Sequence, residues 1–251
     1  SSGIYEKRFG KMKDLVIDVD MIDGNGKLRK YGAEVIGTEG TIGIFTKIKL
    51  KIIDKIYEKS MELLKFDKME QLIEKVVSLK NNDEAMAIEY INRYASALIG
   101  LDAKHHLIVE YNSFEGDIKD YADIERIWKI RKGAFSKVAA EGYILMEDPF
   151  VPLENMAEFL DWLETNQIPS FGAIGVSVLH TCFKEREEIK DLIEIVNKLN
   201  GRFGERFGFG LLKKDTLSNI RKHELLTMKA QFDPFDIFNK EKVVNVWNRT
   251  N

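Results

Sequence analysis

The sequence predicts an α+β fold in which helices cover a mainly antiparallel sheet, and three features predict it. A turn rich in glycine and asparagine, Asp23-Gly24-Asn25-Gly26, joins two strand-like runs and carries the residues that tolerate φ > 0 in a hairpin. Further along, apolar residues recur at three- and four-residue spacing, the signature of amphipathic helices. Short β-branched runs alternate with those helices, without a long linker or an internal repeat.

Taken in order, the first strand runs over Leu15–Ile22 and is answered across the turn by Lys27–Tyr31. Ile44, Thr46, Ile48, Leu50 and Ile52 alternate with Phe45, Lys47, Lys49 and Lys51, which predicts a strand with one buried and one basic, solvated face. About fifty residues cannot build a sizeable core alone, so this region needs sheet neighbours from elsewhere. Met69, Leu72, Ile73, Val76, Val77 and Leu79 make 68–80 a helix. Strands follow at Ala85–Tyr90 and Leu107–Tyr111, then a helix over Asp120–Glu141 with Ile124, Ile127, Trp128, Arg131, Phe135 and Val138 near one face. In "YILMEDPFVPL", Pro149 and Pro152 restrict the segment to a sheet edge or an extended run. Met156–Leu163 reads as helix, Ala173–Phe183 as strand, and Glu185–Leu199 as a helix ending at Asn200-Gly201. A last helix stops near Phe232 at Asp233-Pro234.

Composition narrows the function classes. The 251 residues are 44% hydrophobic and 31% charged, enough for one or two ordinary cores. A net charge of −3 provides no whole-chain basic field for nucleic acid. One cysteine, Cys182, excludes an intramolecular disulfide and a four-cysteine zinc site and suits a reducing cytoplasm. No apolar run approaches the roughly 20 residues of a membrane span, which leaves peripheral attachment open.

The stretch "IGTEGTIGIFTKIKLKI" places Gly37, Gly40 and Gly43 around Thr38, Glu39 and Thr41. Glycines let backbone N–H groups approach a ligand closely, but the lysine and spacing of a nucleotide P-loop are missing. On the residues alone it is either a plain sheet-edge turn or a ligand loop. It resembles the G-(S/T)-E-G-T-(L/I)-G-I-x-T segment that ends the flavin domain of the FAD-linked oxidases with a C-terminal cap, the family of glycolate oxidase flavoprotein subunits, D-lactate dehydrogenases and D-2-hydroxyglutarate dehydrogenases. Other passages match in family order. "SSGIYEKRFGKMKDLV" resembles the A-S-G…Y-G…V passage, "IWKIRKGAF" the L-W-x-I-R-E helix, "MEDPFVPL" the V-P-L strand, and "MKAQFDPFDIFNKEKVV" the K-x-x-F-D-P-x-x-I-L-N-P-G-K-V end.

The resemblance implies the C-terminal part of a vanillyl-alcohol-oxidase-type FAD-binding domain over 1–53, a substrate or cap domain over 54–210, and a helix and tail returning to the FAD domain over 211–251. It implies FAD as cofactor, held by Ser2, Gly3, Gly37, Glu39, Gly40, Thr41, Gly43, Ile44 and Asn239, and oxidation of a D-2-hydroxy acid or a related alcohol. The rest of the FAD domain is then supplied by a longer chain or a separate subunit. Arg131 stands where the family pairs an arginine with the substrate carboxylate; on the residues alone it is equally a solvated helix arginine among Arg126, Lys129 and Lys132. His180 matches a histidine that holds a metal or assists removal of the hydroxyl proton.

Departures from the family pattern concern the polar residues. In "FGAIGVSVLHTCF", Ala173 replaces the first histidine, Val176 an aspartate, Ser177 a glycine and Val178 an asparagine. In "NGRFGERFGFGLLKK", Arg206 and Phe207 stand where Glu and His belong, and a shifted alignment recovers only Glu205. His180 and Glu205 are too few for a divalent metal, which needs three or more protein ligands. Phe135 replaces a hydroxyl residue and Met146 a second cation. Two readings stay open: an FAD-dependent dehydrogenase, and a degenerate, non-catalytic FAD-binding or cap-bearing subunit. His180 with Cys182 reads foremost as core, His105 and His106 alternate to opposite faces, His223 reads as surface, and Asp18, Asp20 and Asp23 fit a hairpin better than a calcium loop.

Overall fold

A computed structural model describes residues 3–204, 206, 208–211 and 213–244. In chain order its elements are α1 (Glu6–Phe9), α2 (Met12–Leu15), β1 (Val16–Asp23), β2 (Leu28–Tyr31), β3 (Gly43–Leu50), β4 (Ser60–Phe66), α3 (Met69–Lys80), β5 (Ala85–Ile91) and α4 (Arg93–Ile99). Then follow β6 (His105–Tyr111), α5 (Tyr121–Lys132), α6 (Ala134–Ala140), β7 (Leu145–Glu147), α7 (Met156–Thr165), β8 (Ser170–Gly172), β9 (His180–Phe183), α8 (Glu188–Lys198) and α9 (Asn219–Phe232). They form two compact units: 9–54 with the described residues from 206 onward, and 3–8 with 55–204.

The first unit is built on a three-stranded antiparallel sheet, order β2-β1-β3. Asp23 closes the hairpin by accepting N–H bonds from Asn25 (2.8 Å) and Lys27 (3.0 Å) at one carboxylate oxygen. The core joins Val16, Val19, Met21, Val35 and Ile42 to Phe45 and to Met228 and Phe232 of α9. Tyr31 meets the Phe232 ring edge-on at 5.1 Å. The register of β3 differs from simple alternation. Met21 pairs with Phe45 but Asp20 with Lys47, so an irregularity at Thr46 shifts the faces. Phe45 therefore turns to the core, while Ile44, Ile48, Leu50 and Ile52 are exposed.

Beyond α9 the tail is fixed by a buried ionic node. Lys229 Nζ donates to Asp233 (2.6 Å) and to the Phe238 carbonyl (2.5 Å), and pairs with Asp236 at 2.8 Å. Asp233 also accepts the Ile237 and Phe238 N–H groups. Gly24 donates to the Phe232 carbonyl, and a Cβ there would sit 2.6 Å from the Asp233 Cα, so only glycine allows this approach.

The second unit holds a six-stranded antiparallel sheet, order β4-β6-β5-β8-β9-β7. One face packs on α3, α7 and α8 through Leu72, Val76, Phe159, Leu163, Leu192 and Val196. The other packs on α4, α5 and α6 through Ala95, Ile99, Ile124, Trp128, Ala134 and Val138. Residues 3–8 join this unit: Tyr5 donates to Glu110, and Lys7 to the Asn82 carbonyl.

Two expected elements are divided. The helix over 120–141 is two helices, because the chain breaks at Gly133 between α5 and α6. The strand over 173–183 is β8, a single 3-10 turn at Ile174–Val176, and β9. Ser177, at φ 62°, reverses the chain so that β8 and β9 pair with each other.

On the first face, His105 is enclosed between Tyr90 and Arg93. Arg93 offers only donors, so His105 Nε2 accepts (3.3 Å) and Nδ1–H donates to the Tyr90 oxygen (2.8 Å). Burial, with the Arg93 guanidinium beside it, pushes the imidazole down to about 4 from 6.5. The unfolded chain then binds more protons between those values, so this stability is complete above about pH 6.5 and lost as pH falls to about 4. Denaturant unfolding at pH 7 and 4.5 is expected to show a loss of order 2–3 kcal/mol from this residue, and His105→Gln flattens that slope.

Candidate functional site

In the first unit the glycine-rich loop is held from inside. Thr38 and Thr41 are buried, and their hydroxyls donate to the carbonyls of Val35 (2.9 Å) and Thr38 (2.6 Å). Glu39, at φ 53°, accepts N–H bonds from Phe209 (2.8 Å) and Gly210 (3.1 Å) with its two oxygens. Asn239 Nδ2 donates to the Glu39 and Gly40 carbonyls (2.9 and 3.3 Å), and Arg221 Nη2 to the Gly37 carbonyl (2.8 Å). Glu39 therefore braces the loop, and Asn239 ties it to the tail.

What the loop presents outward is backbone. Gly37 and Gly40 are exposed, with φ of 84° and 67°, and a Cβ on them would lie 3.5 Å from Arg221 Nη2 and 3.0 Å from Asn239 Nδ2, so glycine lets both side chains close on the loop. Gly43 opens β3 tightly against β1: a Cβ there would lie 2.6 Å from the Ile22 carbonyl oxygen. Ile44 beside it is exposed. Gly3 is exposed and belongs to the second unit. Ser2 lies outside the described residues.

In the second unit Arg131 is buried, not solvated. It extends the α5 stripe of Ile124, Ile127 and Trp128 by one turn, and so faces the sheet. Its Nε (2.6 Å) and Nη2 (2.5 Å) both reach Glu89 Oε2 on β5. Its guanidinium lies 4.7 Å from the Phe171 ring centroid, and His180 on β9 packs against the same ring at 5.6 Å. The structure thus brings Arg131 and His180 to one aromatic ring, Phe171. Phe135, Met146 and Cys182 share that apolar cluster. His180 and Cys182 share a face, but burial pushes the thiol up to about 12, which removes it as a nucleophile.

Among the described residues no group of three His, Cys, Asp or Glu is arranged to hold a metal; Glu205 and Phe207 lie outside them. His105 and His106 are buried on opposite faces of β6, and His223 is exposed. Sequence reasoning missed Glu89 and Glu110, both fully buried. Glu110 accepts from Tyr5 (2.8 Å) and Trp128 Nε1 (2.5 Å) and pairs with Lys59 (3.0 Å). A signal existed: each is a lone acid in an apolar strand, "AMAIEYI" or "HHLIVEY", where a charge must be matched.

The family model of FAD linked oxidases, C-terminal domain, matches residues 112–243, more than half of the chain. The chain belongs to this family. FAD is the family's cofactor, and the antiparallel sheet covered by helices is its C-terminal fold. Among relatives, a D-lactate dehydrogenase of Archaeoglobus fulgidus is 22% identical over 97% of this chain and 68% of its own length. Glycolate oxidase subunit GlcD of Bacillus subtilis is 23% identical over 97% and 66%, and a D-lactate dehydrogenase of Anaerostipes hadrus 22% over 97% and 67%. The chain spans about two thirds of the length of these curated relatives. No helix among the described residues is long and apolar enough to cross a membrane.

Within the Phe171 cluster Cys182 is a packing residue. Native protein at pH 8 is expected to resist a thiol-reactive dye, with labelling appearing only on unfolding; rapid labelling of the native thiol would contradict its placement.

Proposed function

We propose that this chain is the substrate-binding, carboxy-terminal part of an FAD-dependent dehydrogenase that oxidises a D-2-hydroxy acid. The observation that carries the reading is Arg131, a buried guanidinium that shares the Phe171 ring with His180, which suits a carboxylate anchor and a proton-handling imidazole in one site. The names of the relatives, D-lactate dehydrogenase and glycolate oxidase subunit, support the substrate class. Arg131 orients the carboxylate, and His180 assists removal of the hydroxyl proton. The exposed backbone of Gly37 and Gly40, with Gly43, Ile44 and Asn239 beside it, and Ser2 and Gly3 line the flavin; Glu39 and Thr41 keep that loop rigid. FAD, when bound, accepts the hydride.

The partner on this reading is the amino-terminal half of the FAD domain, on the same longer chain or on a separate subunit. Coverage of only about two thirds of the relatives supports it. A single buried, free cysteine accords with a reducing cytoplasm, with or without peripheral membrane attachment. A second reading has one observation in its favour. Ala173, Val176, Val178, Phe135 and Met146 are apolar where the resembling family carries polar groups, as in a subunit that keeps its fold and has lost its chemistry.

The protein carrying this chain, joined to its flavin half, is expected to show the two-banded spectrum of bound FAD and to bleach anaerobically with a D-2-hydroxy acid. Arg131→Ala is expected to lower kcat/KM about 100-fold, the worth of one charge-assisted carboxylate contact. A colourless preparation that cannot be reconstituted with FAD sinks the flavoprotein reading. Bound FAD that no hydroxy acid bleaches supports the non-catalytic subunit instead.

A further inference from the structure

Buried charge around Arg131 bears on the charge of whatever binds there. Glu89 is fully enclosed, and its Oε1 meets no hydrogen-bond donor among the described residues. Arg131, bound to Oε2 through Nε and Nη2, is therefore its counter-ion, and the pair carries no net charge. Phe171 covers one side of the guanidinium and also meets His180, and Phe135, Met146 and Cys182 line the same apolar cluster. Glu110, the other buried carboxylate on this face, is already matched by Lys59. The Nη1 donors of Arg131 take no part in the Glu89 contact.

We propose that Glu89 is the specificity-determining residue of this site: by neutralising Arg131 it restricts the ligand to a monocarboxylate with an apolar side chain and excludes dicarboxylates. This rests on Arg131 being the carboxylate anchor. One carboxylate on the remaining donors leaves a single excess negative charge beside the guanidinium. A second carboxylate enters apolar surroundings, where both Glu89 and the first carboxylate repel it. Glu89 is a positioning residue as well, since holding the Nε edge directs the Nη1 side away from itself.

Calorimetric titration of the full-length, FAD-loaded protein with propanoate and malonate tests this, because neither anion has a hydroxyl to oxidise. The wild-type protein is expected to hold propanoate about tenfold tighter than malonate or better, and Glu89→Gln to erase most of that gap by strengthening malonate about tenfold. Wild-type protein that binds malonate as tightly as propanoate, or binds neither, overturns the proposal. So does a folded Glu89→Gln protein whose ratio is unchanged. Thermal unfolding reports whether Glu89→Gln folds; if it does not, the wild-type ratio decides, together with Glu89→Asp, which keeps the charge and must keep the preference. Arg131→Met separates the two readings. If it binds propanoate as well as wild type does, Arg131 is not the anchor and the functional reading fails; if it loses propanoate while Glu89→Gln leaves the ratio unchanged, only the role of Glu89 fails.

Discussion

Two carboxylates, Glu89 and Glu110, project from adjacent strands of the second unit's sheet into an apolar face, and neither can stay ionised there alone. The matching groups determine much of what surrounds them. Arg131 and Trp128, one turn apart on α5, fix the rotation of that helix against the sheet. Lys59 enters at the start of β4, and Tyr5 binds residues 3–8 to the same unit. A buried pair of this kind adds little net stability over well-packed apolar residues, but breaking it strands a charge. Such a pair specifies position, which suits the substrate-orienting role proposed for Arg131.

The first unit uses the same device in another setting. Glu39 and Asp233 each gather backbone N–H groups, and Lys229 is shared between Asp233 and Asp236. Rigidity of the glycine-rich loop comes from these contacts and from two inward-turned threonine hydroxyls. Glycine supplies the bare outer surface, and the side chains supply the stiffness. That division suits the flavin contact proposed for this loop, since glycine alone would leave it floppy.

Local chemistry was legible in the sequence; charge pairing across strands was not. The Asp23–Gly26 turn, the α3 stripe and the Asp233-Pro234 stop were all readable because each is set by residues a few positions apart. β4 and α4 went unread. Asn92 does cap α4, accepting from Ala95 N, and Gly100 ends it at φ 85°, but a seven-residue helix has too few turns for its period to show. The break at Gly133 and the reversal at Ser177 depend on packing that no local pattern announces. Arg131 and His180 were singled out by motif, and the fold sets both against Phe171. The burial of Arg131 was available from its place on the Ile124, Ile127, Trp128 stripe, yet its neighbours Lys129 and Lys132 suggested a solvated face. Glu89 lies 42 residues away in sequence, and only the fold brings it to Arg131.

The claim that this matched pair organises the site is tested most directly by a double-mutant cycle on Glu89→Gln and Arg131→Met, read by denaturant unfolding at pH 7. Each single change strands a buried polar or charged partner and is predicted to cost about 3–5 kcal/mol, while the double variant costs far less than their sum, a coupling of several kcal/mol. Costs that simply add, with coupling below about 0.5 kcal/mol, would show that Arg131 and Glu89 do not depend on each other.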